Sequence, residues 1–280
     1  MAEEEAAMIM AALSTLTPPQ VSDLTTTILS QTLRHHHRLS SLLSSPFSFS
    51  LALHHLRSLS LPNKALLIAK HLVSSLHHLT RHFHPPPPPP SSTTTIKHRD
   101  LDALLLLLFL CDVHEDNPNI LKTPRNEWRE VLSERYSSNI LMQSGIGVHY
   151  GSVLLPYIEL VSRCWRFVRI IGGCWESKEG REMAASPSAV VGLPAVEVME
   201  GCGRECVICK EEMREGRDVC ELPCEHLFHW ICILPWLKKR NTCPCCRFQL
   251  PTDDVFGEIE RLWSALVKMG GGRVLSTAED

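Results

Sequence analysis

The chain has 280 residues, with 28 Lys and Arg against 31 Asp and Glu and a formal net charge of −3. That length holds one sizeable domain and a small module, and the mixed charge excludes a global field drawing the chain to nucleic acid or anionic lipid. Of twelve cysteines, nine crowd between Cys202 and Cys246, six of them in metal-ligand spacing, which implies a reducing compartment rather than a disulfide scaffold.

The opening MAEEEAAMIMAAL carries three glutamates; a secretory signal starts positive and a transit peptide avoids acids, so neither fits. Pro18 and Pro19 read as its end. From Val21 the apolar residues Leu24, Ile28, Leu39, Leu42 and Leu43 fall at helical spacings, and Leu66, Leu67, Leu72, Val73, Leu76 and Leu79 repeat the pattern beyond Pro62. Two or three helices are expected in this Ser-, Leu- and His-rich region, residues 1–84. His78 and His82 lie four apart on one helix face, but no carboxylate or cysteine accompanies them at matching spacing, so they read as solvated helix surface. The six prolines Pro85 to Pro90 and the Ser/Thr run after them, 85–95, read as a stiff then flexible linker.

A second helical region is expected over 96–173. Leu104 to Cys111 is apolar on all sides between Asp102 and Asp112; far short of the roughly 20 residues of a bilayer span, it predicts a buried core helix. Thr123 and Pro124 predict the cap and first turn of a helix through NEWREVLSERY. Leu154, Ile158, Val161, Trp165, Val168 and Ile171 then alternate three- and four-residue steps, a helix expected to pack on Leu104 to Leu110. Arg163, Arg166 and Arg169 exclude it as a membrane span. Residues 174–203 turn to Ser, Pro, Gly and charge and read as a flexible linker. The last region, 251–280, opens on Asp253 and Asp254 and predicts a helix with Val255, Ile259, Leu262, Trp263, Leu266 and Val267 on one face, stopped by Gly270 to Gly272. That face either braces the module before it or dimerises.

Between linker and last helix, residues 204–250 hold eight metal ligands in four pairs: Cys206 and Cys209, Cys224 and His226, His229 and Cys232, Cys243 and Cys246. One or two residues separate the members of each pair, short enough to grip one tetrahedral ion, and thiolate with imidazole suits zinc. Four pairs make two sites. Cys245 would leave a single residue after Cys243, so Cys246 is read as the ligand and Cys245 as its competitor. A segment this small cannot fold on apolar burial alone, and structural zinc contributes on the order of 10 kcal/mol per site. With four protein ligands each ion is closed to water, which disfavours metal-assisted hydrolysis.

The spacing Cys-x2-Cys-x14-Cys-x1-His-x2-His-x2-Cys-x10-Cys-x2-Cys resembles the RING-H2 fingers of ubiquitin ligases, with all eight positions filled. The resemblance implies interleaved pairs: Cys206, Cys209, His229 and Cys232 on the first zinc, Cys224, His226, Cys243 and Cys246 on the second. It also implies an apolar groove for a ubiquitin-conjugating enzyme built from Ile208, Trp236 and Pro244, with Arg247 as the basic linchpin to ubiquitin. Leu193, Pro194 and Val196 match the extended lead-in such ligases carry before the first cysteine. The fold expected is thus a mostly α N-terminal region, a small zinc-bound α+β RING finger, and a C-terminal helix.

Beyond the RING, the stretches IMAALSTL, SGIGV, PYIELVSRCWRFV and CVICKEEMREGRDVCELPCEHLFHW resemble a plant family of amyloplast-associated ubiquitin ligases of shoot gravitropism. That likeness implies a plastid-associated ligase, and the acidic start places it on the cytosolic face, with the cytoplasm as the alternative. The partners implied are a conjugating enzyme, ubiquitin and a protein substrate these motifs do not name. No Ser-His-Asp set, phosphate loop or HExxH is present, so the chain carries no covalent ubiquitin intermediate and acts by proximity. Two other readings are a zinc-held adaptor without ligase activity, and a nucleic-acid binder. Seven basic residues balance seven acidic ones between Glu205 and Leu250, which leaves no basic stripe for the latter.

Overall fold

The computed structural model describes residues 2–83, 95–143, 150–172, 183–198, 204–213 and 219–271. The proline tract, SGIGV and Cys202 lie outside them. Where the first region was expected to hold two or three helices it forms four: α1 (Ala2–Leu13), α2 (Pro18–Ser44), α3 (Pro46–Ser58) and α4 (Leu61–Thr80). The prolines taken as ends are beginnings. Proline is tolerated in the first helical turn, where its missing N–H has no intrahelical partner to lose, and each sits just after a Ser or Thr cap. Ser45 Oγ accepts from the Ser48 N–H at 3.2 Å and Ser60 Oγ from the Asn63 N–H at 3.4 Å, while Gln20 Oε1 accepts from the Thr17 N–H at 2.9 Å.

The second region forms α5 (His98–Asp116), a 3-10 turn (Pro118–Lys122), α6 (Trp128–Gln143) and α7 (Tyr150–Gly172). α6 opens at Trp128, later than Thr123 and Pro124 suggest. Thr123 instead closes the 3-10 turn, and its carbonyl accepts from Trp128 Nε1–H at 3.0 Å. The apolar run of α5 is buried on two sides because it lies between two cores. Leu104 joins one, with α1, α2, α4 and α7; Leu106, Phe109 and Leu110 join the other, with α3, α6 and the C-terminal half of α2. α7 was expected on α5. It packs instead on α1, α2 and α4, and reaches α5 at its edge, where Arg163 pairs with Asp112 at 3.2 Å and Glu115 at 2.9 Å.

His78 and His82 do not form a shared solvated face: His82 Nε2 lies 3.0 Å from Asp23 Oδ2, and His78 is partly buried. The residues assigned to a linker over 174–203 are, at 183–198, folded onto the module that follows. They form a short helix α8 (Pro187–Val191) and strand β1 (Ala195–Val196). β1 pairs antiparallel with β2 (Val219–Glu221), which pairs with β3 (Leu227–His229) in register Val219 to His229. Helix α9 (Trp230–Leu237) follows directly. The lead-in is buttoned at both ends: the Ala185 N–H donates to the Leu237 carbonyl at 2.9 Å and the Ser186 N–H to that of Pro251 at 2.8 Å. Leu193 and Val198 enter the module's own core beside Phe228 and Ile233.

The last helix, α10 (Val255–Gly271), packs on α1 and α4. Trp263 stacks on Trp165 of α7, with ring centroids 4.2 Å apart and planes 11° from parallel. At Gly270 a Cβ would meet the Met8 carbonyl oxygen at 2.9 Å, so the two backbones approach as only glycine allows. The junction between module and helices is sealed by one buried carboxylate. Glu258 accepts from the Thr252 N–H at 3.1 Å and from Arg261 at 2.8 and 2.6 Å, and lies 3.3 Å from His77 Nε2 of α4.

Candidate metal centre

Two hairpin knuckles and one turn carry the ligands. In the first knuckle the Cys206 N–H donates to the Glu211 carbonyl at 2.9 Å and the Lys210 N–H to that of Cys206 at 2.7 Å. The second repeats the pattern five and four residues apart, Cys243 to Phe248 at 2.8 Å and Arg247 to Cys243 at 3.0 Å. Lys210 (φ 62°) and Arg247 (φ 60°) both close their knuckles in the left-handed region, which reverses the chain so that two thiols five bonds of backbone apart face one point. Between β2 and β3 the Leu222 N–H donates to the His226 carbonyl at 3.0 Å, and Glu225 (φ 64°) makes the turn that presents Cys224 and His226 together.

The interleaving implied by the spacing is present in the geometry. Ligand atoms of Cys206, Cys209, His229 and Cys232 all lie within 4.8 Å of one another, and so do those of Cys224, His226, Cys243 and Cys246. Cys209 Sγ is 3.4 Å from His229 Nδ1, and Cys224 Sγ is 3.4 Å from His226 Nδ1. Sulfur at about 2.3 Å and nitrogen at about 2.0 Å from a tetrahedral zinc stand about 3.5 Å apart. Both clusters therefore fit zinc, with each imidazole facing the site through Nδ1. The Nε2 of His229 is buried without a hydrogen-bond partner.

The other cysteines separate by position. Cys220 lies on β2 in the core, and burial pushes its thiol up to about 12, the state of a structural thiol rather than a ligand. Cys245 is exposed and contributes through its backbone, whose N–H points to Cys243 Sγ at 3.4 Å. Among the described residues, the histidines of α2 and α4 form no third cluster.

The residues expected to dock a conjugating enzyme lie on three different segments. Ile208, on the first knuckle, is 39% exposed; Trp236 on α9 and Pro244 on the second knuckle are partly buried; Arg247 is exposed. Trp236 is also structural: its Nε1–H donates to the Thr242 carbonyl at 2.7 Å, and the Arg240 guanidinium lies 5.1 Å from its ring centroid. Sequence reasoning missed Ile231, 82% exposed on α9, and Val207, exposed beside Ile208. The signal was there, since WICILPWL is almost wholly apolar and a helix of eight residues buries only one side, here Ile233 and Leu237.

Comparison with known proteins agrees with this geometry. A family model described as Ring finger domain matches residues 204–247. An Arabidopsis thaliana protein named E3 ubiquitin-protein ligase SGR9, amyloplastic, is 53% identical over 279 residues, 96% of this chain and 98% of that protein. The RNF181 homolog of Drosophila melanogaster, also named an E3 ubiquitin-protein ligase, is 49% identical over 81 residues, 28% of this chain and 55% of that protein. The first likeness runs through the helical body as well as the two Cys/His clusters, and the chain belongs to the RING-finger E3 ubiquitin-protein ligases.

Proposed function

We propose that the chain holds two zinc ions in the two clusters, docks a ubiquitin-charged conjugating enzyme on Ile208, Trp236 and Pro244, and steadies the ubiquitin through Arg247 while a substrate lysine attacks the thioester. The zincs supply folding free energy and fix the knuckles. The chain's own part in the reaction is positioning: nothing in it forms a bond to ubiquitin, and the rate gain comes from holding the thioester in a reactive orientation. The observation that carries this reading is the exposure of apolar side chains on a module that has little apolar surface to spare, with Val207, Ile208 and Ile231 all turned to solvent. The guanidinium of Arg247 stands among them on a fixed backbone, with its planar set of donors free to bridge two proteins.

The discriminating substitution is Ile208→Ala, because Ile208 is exposed and Trp236 is not free of structural duty. With activating enzyme, a panel of conjugating enzymes and zinc, wild type forms ubiquitin ladders, and Ile208→Ala loses at least about tenfold in rate while its melting temperature stays within a few degrees. Unchanged ladders would remove Ile208 from the docking surface. Absence of ladders from zinc-loaded wild type with every enzyme would favour an adaptor.

We also place the protein at plastids, on the cytosolic face, in the control of gravitropic growth. This rests on the relative whose printed name includes "amyloplastic" and on the acidic first turn of α1. No helix among the described residues is long and apolar enough to cross a membrane. Digestion of a tagged protein on intact isolated plastids by added protease is the expected result, and protection would overturn the assignment to the outer face.

A further inference from the structure

The chain's net charge conceals a division. Between Leu24 and Arg99 there are eight Lys and Arg and no Asp or Glu, so with the whole chain at −3 the remaining residues carry −11. The fold gathers part of this positive segment on one side. A groove of about 400 Å³ runs between α2, α3 and the start of α5, with Arg38, Ser41, Leu51 and Arg99 among the residues lining it. Arg34 and His37 extend the exposed side of α2 by a turn, and Lys97 and His98 stand exposed beside Arg99 at the start of α5. The two carboxylates nearby are both occupied, Asp102 by Arg38 at 2.5 Å and Asp100 by His55 at 2.9 Å. Apolar side chains project from the same helices: Phe47 is 78% exposed, Leu51 one turn on is 49% exposed, and Leu33 on α2 is 60% exposed.

We propose that this face docks the protein peripherally on an anionic lipid surface. Spread cations attract lipid phosphates at long range, and protruding aromatic and aliphatic side chains enter the boundary between headgroups and acyl chains. Neither signal suffices alone, and the two together give reversible attachment. Lipid suits the face better than the other polyanions. Nucleic acid calls for a dense stripe of cations without protruding leucines, and an acidic protein partner calls for apolar groups that line a recess, whereas Phe47 and Leu33 stand out from one. The acidic remainder of the molecule is repelled by the same surface, which orients the chain with α2 and α3 inward. This inference is independent of the ligase reading, and α10, which carries the RING, packs on other helices, α1 and α4.

The test is flotation of the zinc-loaded full-length protein with vesicles, either phosphatidylcholine alone or phosphatidylcholine with about one-third phosphatidylglycerol. The expected result is flotation with the anionic vesicles only, abolished at about 0.5 M salt. Arg99→Glu and Phe47→Ser should each lower partitioning at least about fivefold, and together by more than tenfold. Lys268→Glu, the same charge reversal on the exposed side of α10, should change it by less than about twofold. Zinc content and circular dichroism of each variant show that the fold is kept. The proposal fails if the protein ignores anionic vesicles, floats equally with neutral ones, or loses no more on Arg99→Glu than on Lys268→Glu. It fails too if the same substitutions release polyglutamate or an oligonucleotide while vesicle binding is absent. No ubiquitination component is present in the assay, so a negative result leaves the ligase reading untouched.

Discussion

Lys210 and Arg247 hold the same place in two copies of one knuckle, and only one of them is proposed to meet ubiquitin. Both have positive φ, a conformation that costs a non-glycine residue about 1 kcal/mol. Glycine adopts it freely, so Lys210→Gly should leave stability unchanged or raise it by up to about 1 kcal/mol, with ligase activity retained. Arg247→Gly should keep zinc content and melting temperature in the same way yet discharge the conjugating enzyme at least about tenfold more slowly. Stopped ubiquitin discharge in both variants would mean that the knuckle, not the guanidinium, is what matters. The eight ligands were legible in the sequence because spacing is local chemistry, and Cys246 was separable from Cys245 by one residue. The left-handed turn at Arg247 was not, because neither Lys nor Arg signals it. Nor was the anchoring of Trp236 to the Thr242 carbonyl, since the indole's partner lies beyond the end of its own helix.

At the scale of elements, periodicity revealed the helices and left their partners open. An amphipathic face says that something covers it. It does not say what, so α10 read equally as a brace or a dimer surface, and α7 was assigned to the wrong neighbour. The prolines were misread for a related reason: a Pro both ends one helix and begins the next, and the Ser or Thr before it decides which. With Trp263 stacked on Trp165 in a shared core, Trp263→Ala should open a cavity between α10 and α7 and destabilise the helical body by about 3–5 kcal/mol, measured by urea unfolding. The seam between α2 and α4 makes a second prediction. His71 is buried, and burial, aided by His35 and His78, holds its pKa down to about 4 against the ordinary 6.5. Between those values the unfolded chain binds a proton that the folded chain does not. The stability at stake is intact above about pH 6.5 and lost as pH falls toward 4, about 3 kcal/mol in all. His71→Leu should therefore be less acid-sensitive than wild type, with a difference of about 2 kcal/mol accumulated at pH 5. Zinc loss, common to both proteins, cancels in that comparison.

For the whole molecule the question is whether the RING and the helices stand or fall together. Their cores are distinct: the RING residues cluster with Leu193 and Val198, whereas α10 shares the interior of α1, α4 and α7. The composition anticipated a small zinc-held module beside a larger helical region, since 47 residues bury too little apolar surface to fold alone; the junction was hidden because Glu258 and His77 are 181 positions apart and no local pattern links them. That junction is one carboxylate bonded to Thr252, Arg261 and His77, strong enough to fix orientation and too small to carry either fold. A chelator should therefore melt the RING and spare the body. Far-ultraviolet ellipticity should fall only slightly, because α8 and α9 are short, and the near-ultraviolet signal of the stacked Trp165 and Trp263 should persist while ligase activity disappears. Returning zinc should restore activity without a slow refolding of the helices. Collapse of the helical signal on chelation would instead show that the Glu258 junction couples the two cores, making the zinc sites structural for the whole chain.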